Sequence, residues 1–307
     1  MRTGSNGSTD AGEPGPVDEG GEQTAPSGVA ASMSSAATLD RRRETAYGRD
    51  LGRAFGGALL FSLPLLMTME MWWFGFSLHP ARLALFLLTA VPMLVGLAYY
   101  AGFSHRHHGL AHAVLDTFVA LAVGYVTAAI LLTVMAILEP AGPLRHSAGQ
   151  IALQAVPGAM GALLARRQLS SGRGEGDEGE ARYPGELFLM VAGALFLALN
   201  VAPTEEMILI AYRMTPWHAV ALVLVSLAVM HAIVYSAGFA GQEEQGQPVT
   251  AFVHYTLAGY GLVLLVSVYV LWVFGRTDGH GFREMIDAAV VLAFPGALGA
   301  AAARLLV

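Results

Sequence analysis

Eight apolar stretches limit what this chain can become. Each is at least 18 residues long, and a helix of about 20 residues crosses the ~30 Å hydrocarbon core of a bilayer. They run over 54–78, 81–103, 112–138, 148–165, 185–212, 217–240, 250–274 and 288–307. Only 13% of the 307 residues are charged, about half the share of an ordinary soluble domain, and 13 of the 40 charges fall in the first 50 positions. The expected fold is therefore an all-α polytopic membrane protein, and a soluble enzyme is excluded. The fourth stretch is the shortest and carries Pro157.

Residues 1–47 are rich in Gly, Ser, Ala, Pro and acids, too polar to bury a core and too acidic for a signal peptide, so they read as a disordered tail. Met33 offers an alternative start that would make residues 1–32 untranslated. Residues 168–184 form a polar linker between a first group of four spans, 48–167, and a second, 185–307. With the amino terminus inside, eleven Arg flank the inner ends of the spans and five (Arg82, Arg145, Arg213, Arg276 and Arg283) the outer ends. The positive-inside bias then puts both termini in the cytoplasm, and a bacterial plasma membrane is the expected location.

The chain also aligns with itself. At an offset of 136, residues 57–103 match 193–239 without a gap at 13 of 47 positions, including Gly57/Gly193, Thr68/Thr204, Glu70/Glu206, Met71/Met207 and Pro80/Pro216. At an offset of 138, residues 145–166 match 283–304 at nine of 22, including Arg145/Arg283, Pro157/Pro295, Gly158/Gly296 and Gly161/Gly299. Four spans per repeat is an even number. The eight transmembrane helices are thus expected as two parallel four-helix repeats about an axis along the membrane normal, with any site between them. The small residues following Pro157 and Pro295 lie at helical spacing and suit close backbone packing.

Ionisable residues within membrane helices are costly and tend to face a partner or a cavity. Glu70 and Glu206 occupy equivalent places, each in a Thr-X-Glu-Met sequence, beside Glu205, Thr68, Thr204 and Asn200. Pro64 and Pro203 lie nearby, and a proline that breaks the helix frees a carbonyl next to the Thr hydroxyls and the carboxylates. Such an oxygen-rich cluster suits a hard cation or a proton. The same Glu residues would alternatively serve as structural polar contacts, paired with Arg213 or Arg82, or as a solvated rim. His231, His254 and Asp116 are candidate proton carriers, with hydrogen-bonded packing as the alternative for the histidines and an interfacial position for Asp116. The run His105, His107, His108 and His112 has one metal-compatible spacing, but loop histidines are commonly solvated, so no metal is expected.

With no Cys and no Lys, thiol chemistry and Schiff-base cofactors are excluded, and no cofactor is expected. No phosphate-binding Gly-Lys loop or His-Glu-X-X-His motif is present, which removes primary pumping. The pair Glu205-Glu206 is similar to the Glu-Glu-X-X-X-Arg pattern of prenyl-protein and bacteriocin-processing membrane proteases. The fourth residue after Glu206 is Ile210 rather than Arg, and the Phe-X-X-X-His motif is missing at His231 and His254. An enzyme is not expected.

The eight spans, Pro-Thr-Glu-Glu-Met-Ile at 203–208 and Pro-Gly-Ala-X-Gly-Ala at 157 and 295 resemble a bacterial family of integral membrane proteins of unknown function. The resemblance covers residues 50–307, supports the fold class, implies no activity, and suggests a small companion protein as partner. The remaining expectation is a transporter or channel for a small ion, proton or small solute, with a non-catalytic scaffold or accessory subunit as the alternative. Its partners are the lipid bilayer and that ion or solute, without nucleic acid.

Overall fold

The computed structural model describes residues 48–101, 110–138, 142–170, 183–236 and 252–305. The tail 1–47, most of the 168–184 linker, His105, His107, His108 and residues 306–307 lie outside them. Every regular element described is helical. In chain order these are α1 (Gly48–Leu66), α2 (Met69–Ser77), α3 (Pro80–Ala101), α4 (Leu110–Val134), α5 (Leu144–Ser170), α6 (Tyr183–Val201), α7 (Glu205–Arg213) and α8 (Pro216–Ser236). A π-helical turn (Phe252–Leu257) leads into α9 (Ala258–Val273), and α10 (Phe282–Leu305) ends the series. Seven of the described helices are long and apolar enough to cross a membrane, and an eighth span is obtained if α1 and α2 count together.

The first and fifth expected spans each consist of two helices. The chain turns by 88° between α1 and α2. Further along, α6 crosses by itself and α7 is a separate nine-residue helix. Both breaks fall on a threonine in extended conformation, Thr68 (φ −94°, ψ 122°) and Thr204 (φ −71°, ψ 143°). Pro64 lies in the last turn of α1, and Pro203 directly precedes Thr204.

Two helices organise the packing. In the first group α5 lies against α2, α3 and α4, and in the second α10 lies against α6, α7, α8 and α9. Of their most apolar stretches 83% and 67% are buried, against 17% for α8, whose exposed Val220, Leu224 and Val225 suit contact with lipid tails. The fourth stretch, shortest in the sequence, is thus the most enclosed helix. Its small residues explain this. A methyl on Gly57 of α1 would overlap the Gly161 carbonyl and the Ala165 methyl of α5; one on Gly193 of α6 would overlap the Gly299 carbonyl and Ala303 of α10. Backbones that touch so closely gain dispersion contacts that lipid cannot match.

A shared apolar core joins the groups at one end, with Leu65, Met71, Phe74, Phe86 and Leu153 against Leu199, Met207, Val270, Phe274 and Leu292. Phe74 and Phe274 stack with ring centroids 5.1 Å apart. All four Trp, at 72, 73, 217 and 272, lie toward this end of the spans, and Tyr99, Tyr100 and Tyr183 lie toward the other, as interfacial aromatics do.

Replacing Gly57 or Gly193 with Ala is expected to cost about 1–3 kcal/mol by overpacking, seen as a lower melting temperature of the detergent-solubilised protein. Gly56→Ala, where nothing lies within 4 Å of the added methyl, is the control and should leave the melting temperature near wild type.

Candidate functional site

A helix broken within a membrane leaves carbonyls and amides that lipid cannot satisfy, so protein groups must serve them. At the first break the Leu65 carbonyl accepts from the Thr68 amide (3.1 Å), the Thr68 hydroxyl (2.7 Å) and Nε2 of Gln154 on α5 (3.4 Å). The Leu66 carbonyl accepts from the Trp72 indole at 2.7 Å, and the Trp72 carbonyl from Gln150 Nε2 at 3.2 Å. At the second break the Val201 carbonyl accepts from the Thr204 amide (3.0 Å) and hydroxyl (2.9 Å). Thr68 and Thr204 therefore do the same work 136 residues apart. Neither hydroxyl caps the helix that follows it; each serves the end of the helix before it.

Another carbonyl at the second break, on Pro203, accepts from Nη2 of Arg276, in the turn after α9. Nη1 of the same guanidinium donates to Glu205 Oε1 at 2.9 Å. Its carbon sits 5.0 Å from the centroid of the Phe74 ring on α2. Arg276 is 84% buried against 31% for its partner (side-chain exposures 16% and 69%), which makes it the interior half of the pair. One cation thus ties the α6–α7 break to the short helix that follows the α1–α2 break. In the same turn Asp278 pairs with Arg82 of α3 through two hydrogen bonds of 2.6 and 2.8 Å, and Arg82 lies over the Trp272 ring.

The expected site residues divide between the two ends of the spans. Glu70, Glu205, Glu206, Thr68, Thr204 and Asn200 are at the Trp end. Glu205 is paired with Arg276, Asn200 donates to the Phe196 carbonyl at 2.8 Å, and its side-chain oxygen is buried without a partner among the described residues. Glu70 is half-buried, Glu206 is exposed, and neither has a hydrogen bond or ion pair with another described residue. His231, His254 and Asp116 are at the Tyr end. His231 meets the Thr256 hydroxyl at 3.0 Å, and the His254 carbonyl accepts from Tyr183 at 2.7 Å. Thr256 and Val273, three residues short of Arg276, are separated by 17 residues of helix, roughly 25 Å at about 1.5 Å per residue. The histidines are therefore not assembled with Glu205. Among the described residues no three His, Asp or Glu side chains gather as a metal site.

Two cavities open beside the short helices, at positions no sequence pattern singled out. One, about 480 Å³, lies between α2, the start of α5 and the segment after α4, and is lined by Met69, Trp72, Trp73, Ile137, His146 and Gln150, among others. The other, about 220 Å³, lies between α7 and α10 and is lined by Tyr212, Arg276, His280, Arg283, Glu284 and Asp287, among others. Their walls correspond under the self-alignment offsets: Trp72 with Ile208 and Phe76 with Tyr212 at 136, Gly142 with His280, His146 with Glu284 and Gln150 with Ala288 at 138. Neither cavity is lined by Glu70, Glu205 or Glu206.

An all-helical bundle of seven or eight apolar spans agrees with the one comparison that matches. The family described as "Putative integral membrane protein (DUF2391)" covers residues 50–307. The chain belongs to that family. No curated protein and no solved structure matches it. The DUF2391 description places the protein in a membrane and names no activity.

Asp278 lies outside the spans. The hydrogen bonds from Arg82, with its positive charge and a smaller contribution from His280, hold the carboxyl below its ordinary value of 3.8. A carboxylate whose folded pKa is depressed stabilises at pH above the ordinary value and loses that contribution as pH falls through the lower folded one. Amide exchange in residues 274–281 should therefore be unchanged between neutral pH and about pH 4, after correction for intrinsic rates, and should accelerate only below. Asp278→Asn should accelerate it across the whole range.

Proposed function

We propose that this membrane protein moves a small ion, a proton or a small solute, and that the two helix breaks are its working parts. The observation that carries the reading is the pair of breaks at Thr68 and Thr204, each followed one residue later by a short helix with acid in its first turn. Irregular backbone at membrane depth persists where it is enclosed by protein or lines a water-filled cavity, and half-helix ends supply the dipoles and free carbonyls that transporters use to hold ions and charged solutes. Glu70 and Glu206, each without a partner among the described residues, are the carboxylates assigned to the transported species. Glu205 is assigned a structural role beside Arg276.

The reading includes two parallel four-helix repeats. Its support is the recurrence of element bounds: α2 plus 136 gives 205–213, which is α7, and α5 plus 138 begins at 282, as α10 does. The Gly57–Gly161 and Gly193–Gly299 contacts recur at the same offsets. The amino terminus is assigned to the cytoplasm of a bacterium from the Arg count, which puts both breaks near the outer face. Intramembrane proteolysis is not part of the proposal, because His231 and His254 stand about one membrane thickness from Glu205.

Flux into proteoliposomes, followed with pH- and cation-sensitive dyes, should fall about tenfold in Glu70→Gln and in Glu206→Gln, the effect of losing roughly 1.4 kcal/mol of binding. Undiminished flux in the double Gln variant would overturn the site assignment. Wild-type protein that carries no ion or solute across a broad panel would favour the accessory-subunit alternative.

A further inference from the structure

The two cavities occupy corresponding places in the two groups and differ in charge. Arg276, Arg283, Glu284 and Asp287 line the one beside α7, whereas no Asp, Glu, Lys or Arg lines the 480 Å³ cavity beside α2. The second cavity offers rings instead. The Trp72 indole is fixed by its N–H on the Leu66 carbonyl at 2.7 Å. Phe76 is held between Trp73 and His146, with ring centroids 5.1 and 5.2 Å away. Rings already held in place lose little freedom when another ring stacks on them. The volume falls within the range of small-molecule sites.

One polar group of this wall is fixed and half served. Gln150 is only 7% exposed, and its stem lies against Gly75, where an added methyl would overlap Cα and Cγ of Gln150. Its Nε2 donates to the Trp72 carbonyl at 3.2 Å. Because that partner is a carbonyl, the amide nitrogen must face it, and Oε1 is the end left over. This oxygen has no donor among the described residues, yet it is not sealed within the packing as Oε1 of Gln154 is. The space that Gln150 borders is this cavity. A buried acceptor without a donor is costly, so the site favours a ligand that donates to it.

Another wall is maintained against its own preference. Ala136, two residues after α4, has φ 57°, the left-handed position that ends a helix and that glycine ordinarily fills. The Ile137 amide closes that end on the Leu132 carbonyl at 2.9 Å, and both Ala136 and Ile137 line the cavity. Strained backbone of this kind clusters at ligand sites.

We propose that this cavity binds an uncharged planar ring carrying an N–H or O–H donor, as in an indole, a phenol or the headgroup of a quinol. The ring lies against Trp72 and Phe76, and the donor serves Oε1 of Gln150. An organic anion finds no counter-charge in this wall, a cation finds only ring faces, and a hydrocarbon tail leaves the amide oxygen unserved. The proposal does not depend on the helix breaks carrying a substrate.

The full-length protein in phosphatidylcholine nanodiscs, titrated calorimetrically with indole and corrected for partitioning with empty nanodiscs, tests an aqueous source. Anaerobic nanodiscs loaded with ubiquinol or its dimethyl ether, read by native mass spectrometry for retained ligand, test a membrane source. In the arm that binds, blocking the donor should weaken binding about tenfold, the loss of one hydrogen bond: 1-methylindole against indole, or the ether against the quinol. Gln150→Met should abolish that discrimination and leave binding of the blocked ligand near wild type, which a merely structural role would not do. Ser147→Phe, which fills the cavity from its rim, should weaken all binding at least tenfold at an unaltered melting temperature. Indole-3-acetate and tryptamine should bind at least tenfold more weakly than indole. The proposal is overturned by saturable binding in neither arm, by equal binding of blocked and free ligands, or by tighter binding of a charged analogue. Discrimination that persists in folded Gln150→Met, or binding indifferent to Ser147→Phe, would overturn it as well.

Discussion

The structure depends on how the backbone is satisfied where two membrane helices stop. An unbroken helix closes its own hydrogen bonds, and within hydrocarbon nothing else replaces them. At Thr68 and Thr204 the chain gives up that self-sufficiency, and nearby groups must compensate. Both threonines turn their hydroxyls back onto the preceding helix. The rest of the compensation differs between the halves. The first break is served by neutral donors, Gln154 and the Trp72 indole, and the second by the guanidinium of Arg276.

That difference propagates. A neutral amide needs no counter-ion, and no Asp, Glu, Lys or Arg lines the cavity beside α2, whose walls include Trp72, Trp73, Phe76 and Met69 together with His146, Ser147 and Gln150. A buried guanidinium does need counter-charge. Glu205 supplies it on one side, the face of Phe74 adds a cation–π contact on the other, and the cavity beside α7 acquires Asp287, Glu284 and Arg283. Because Phe74 belongs to the first half, the same guanidinium also joins the halves. The turn that carries it is held a second time by Arg82 and Asp278. Breaking Arg276 away would thus uncap the second break, strand Glu205 and loosen the junction together.

Much of this was legible in the sequence, and the boundary of legibility has physical causes. Apolar length sets the number of spans; Pro203 marks the second break at the next residue, whereas Pro64 lies four residues before Thr68 and still within α1, and each of the two stretches reads from its apolar length as one span. The close-packing role of Gly161 and Gly299 likewise follows from their size and spacing, whereas Gly57 and Gly193, the glycines they meet, stand out in the sequence only as matched positions. What could not be read was partnership across distant sequence. Arg276 looked like one of five outer arginines, because nothing local distinguishes a buried, clamped guanidinium from one in water. Gln150 and Gln154 carry no charge and drew no notice. Depth was not legible either: residue type does not say that His231 and His254 stand toward one end of the spans and the glutamates toward the other.

The two groups resemble each other most where backbones touch. Gly57 meets the Gly161 carbonyl and the Ala165 methyl, and Gly193 meets the Gly299 carbonyl and the Ala303 methyl, because contact at that distance admits no larger side chain. At the seams of the short helices they differ. Gly149 of α5 touches the backbone of Gly75 of α2, whereas the residue 138 positions later, in α10, is Asp287, whose carboxylate stands 3.7 Å from Arg283 Nε beside the cavity between α7 and α10. Where one seam is held by two glycines the other carries an ion pair, so backbone contact at that place belongs to one group and is not a requirement of the bundle.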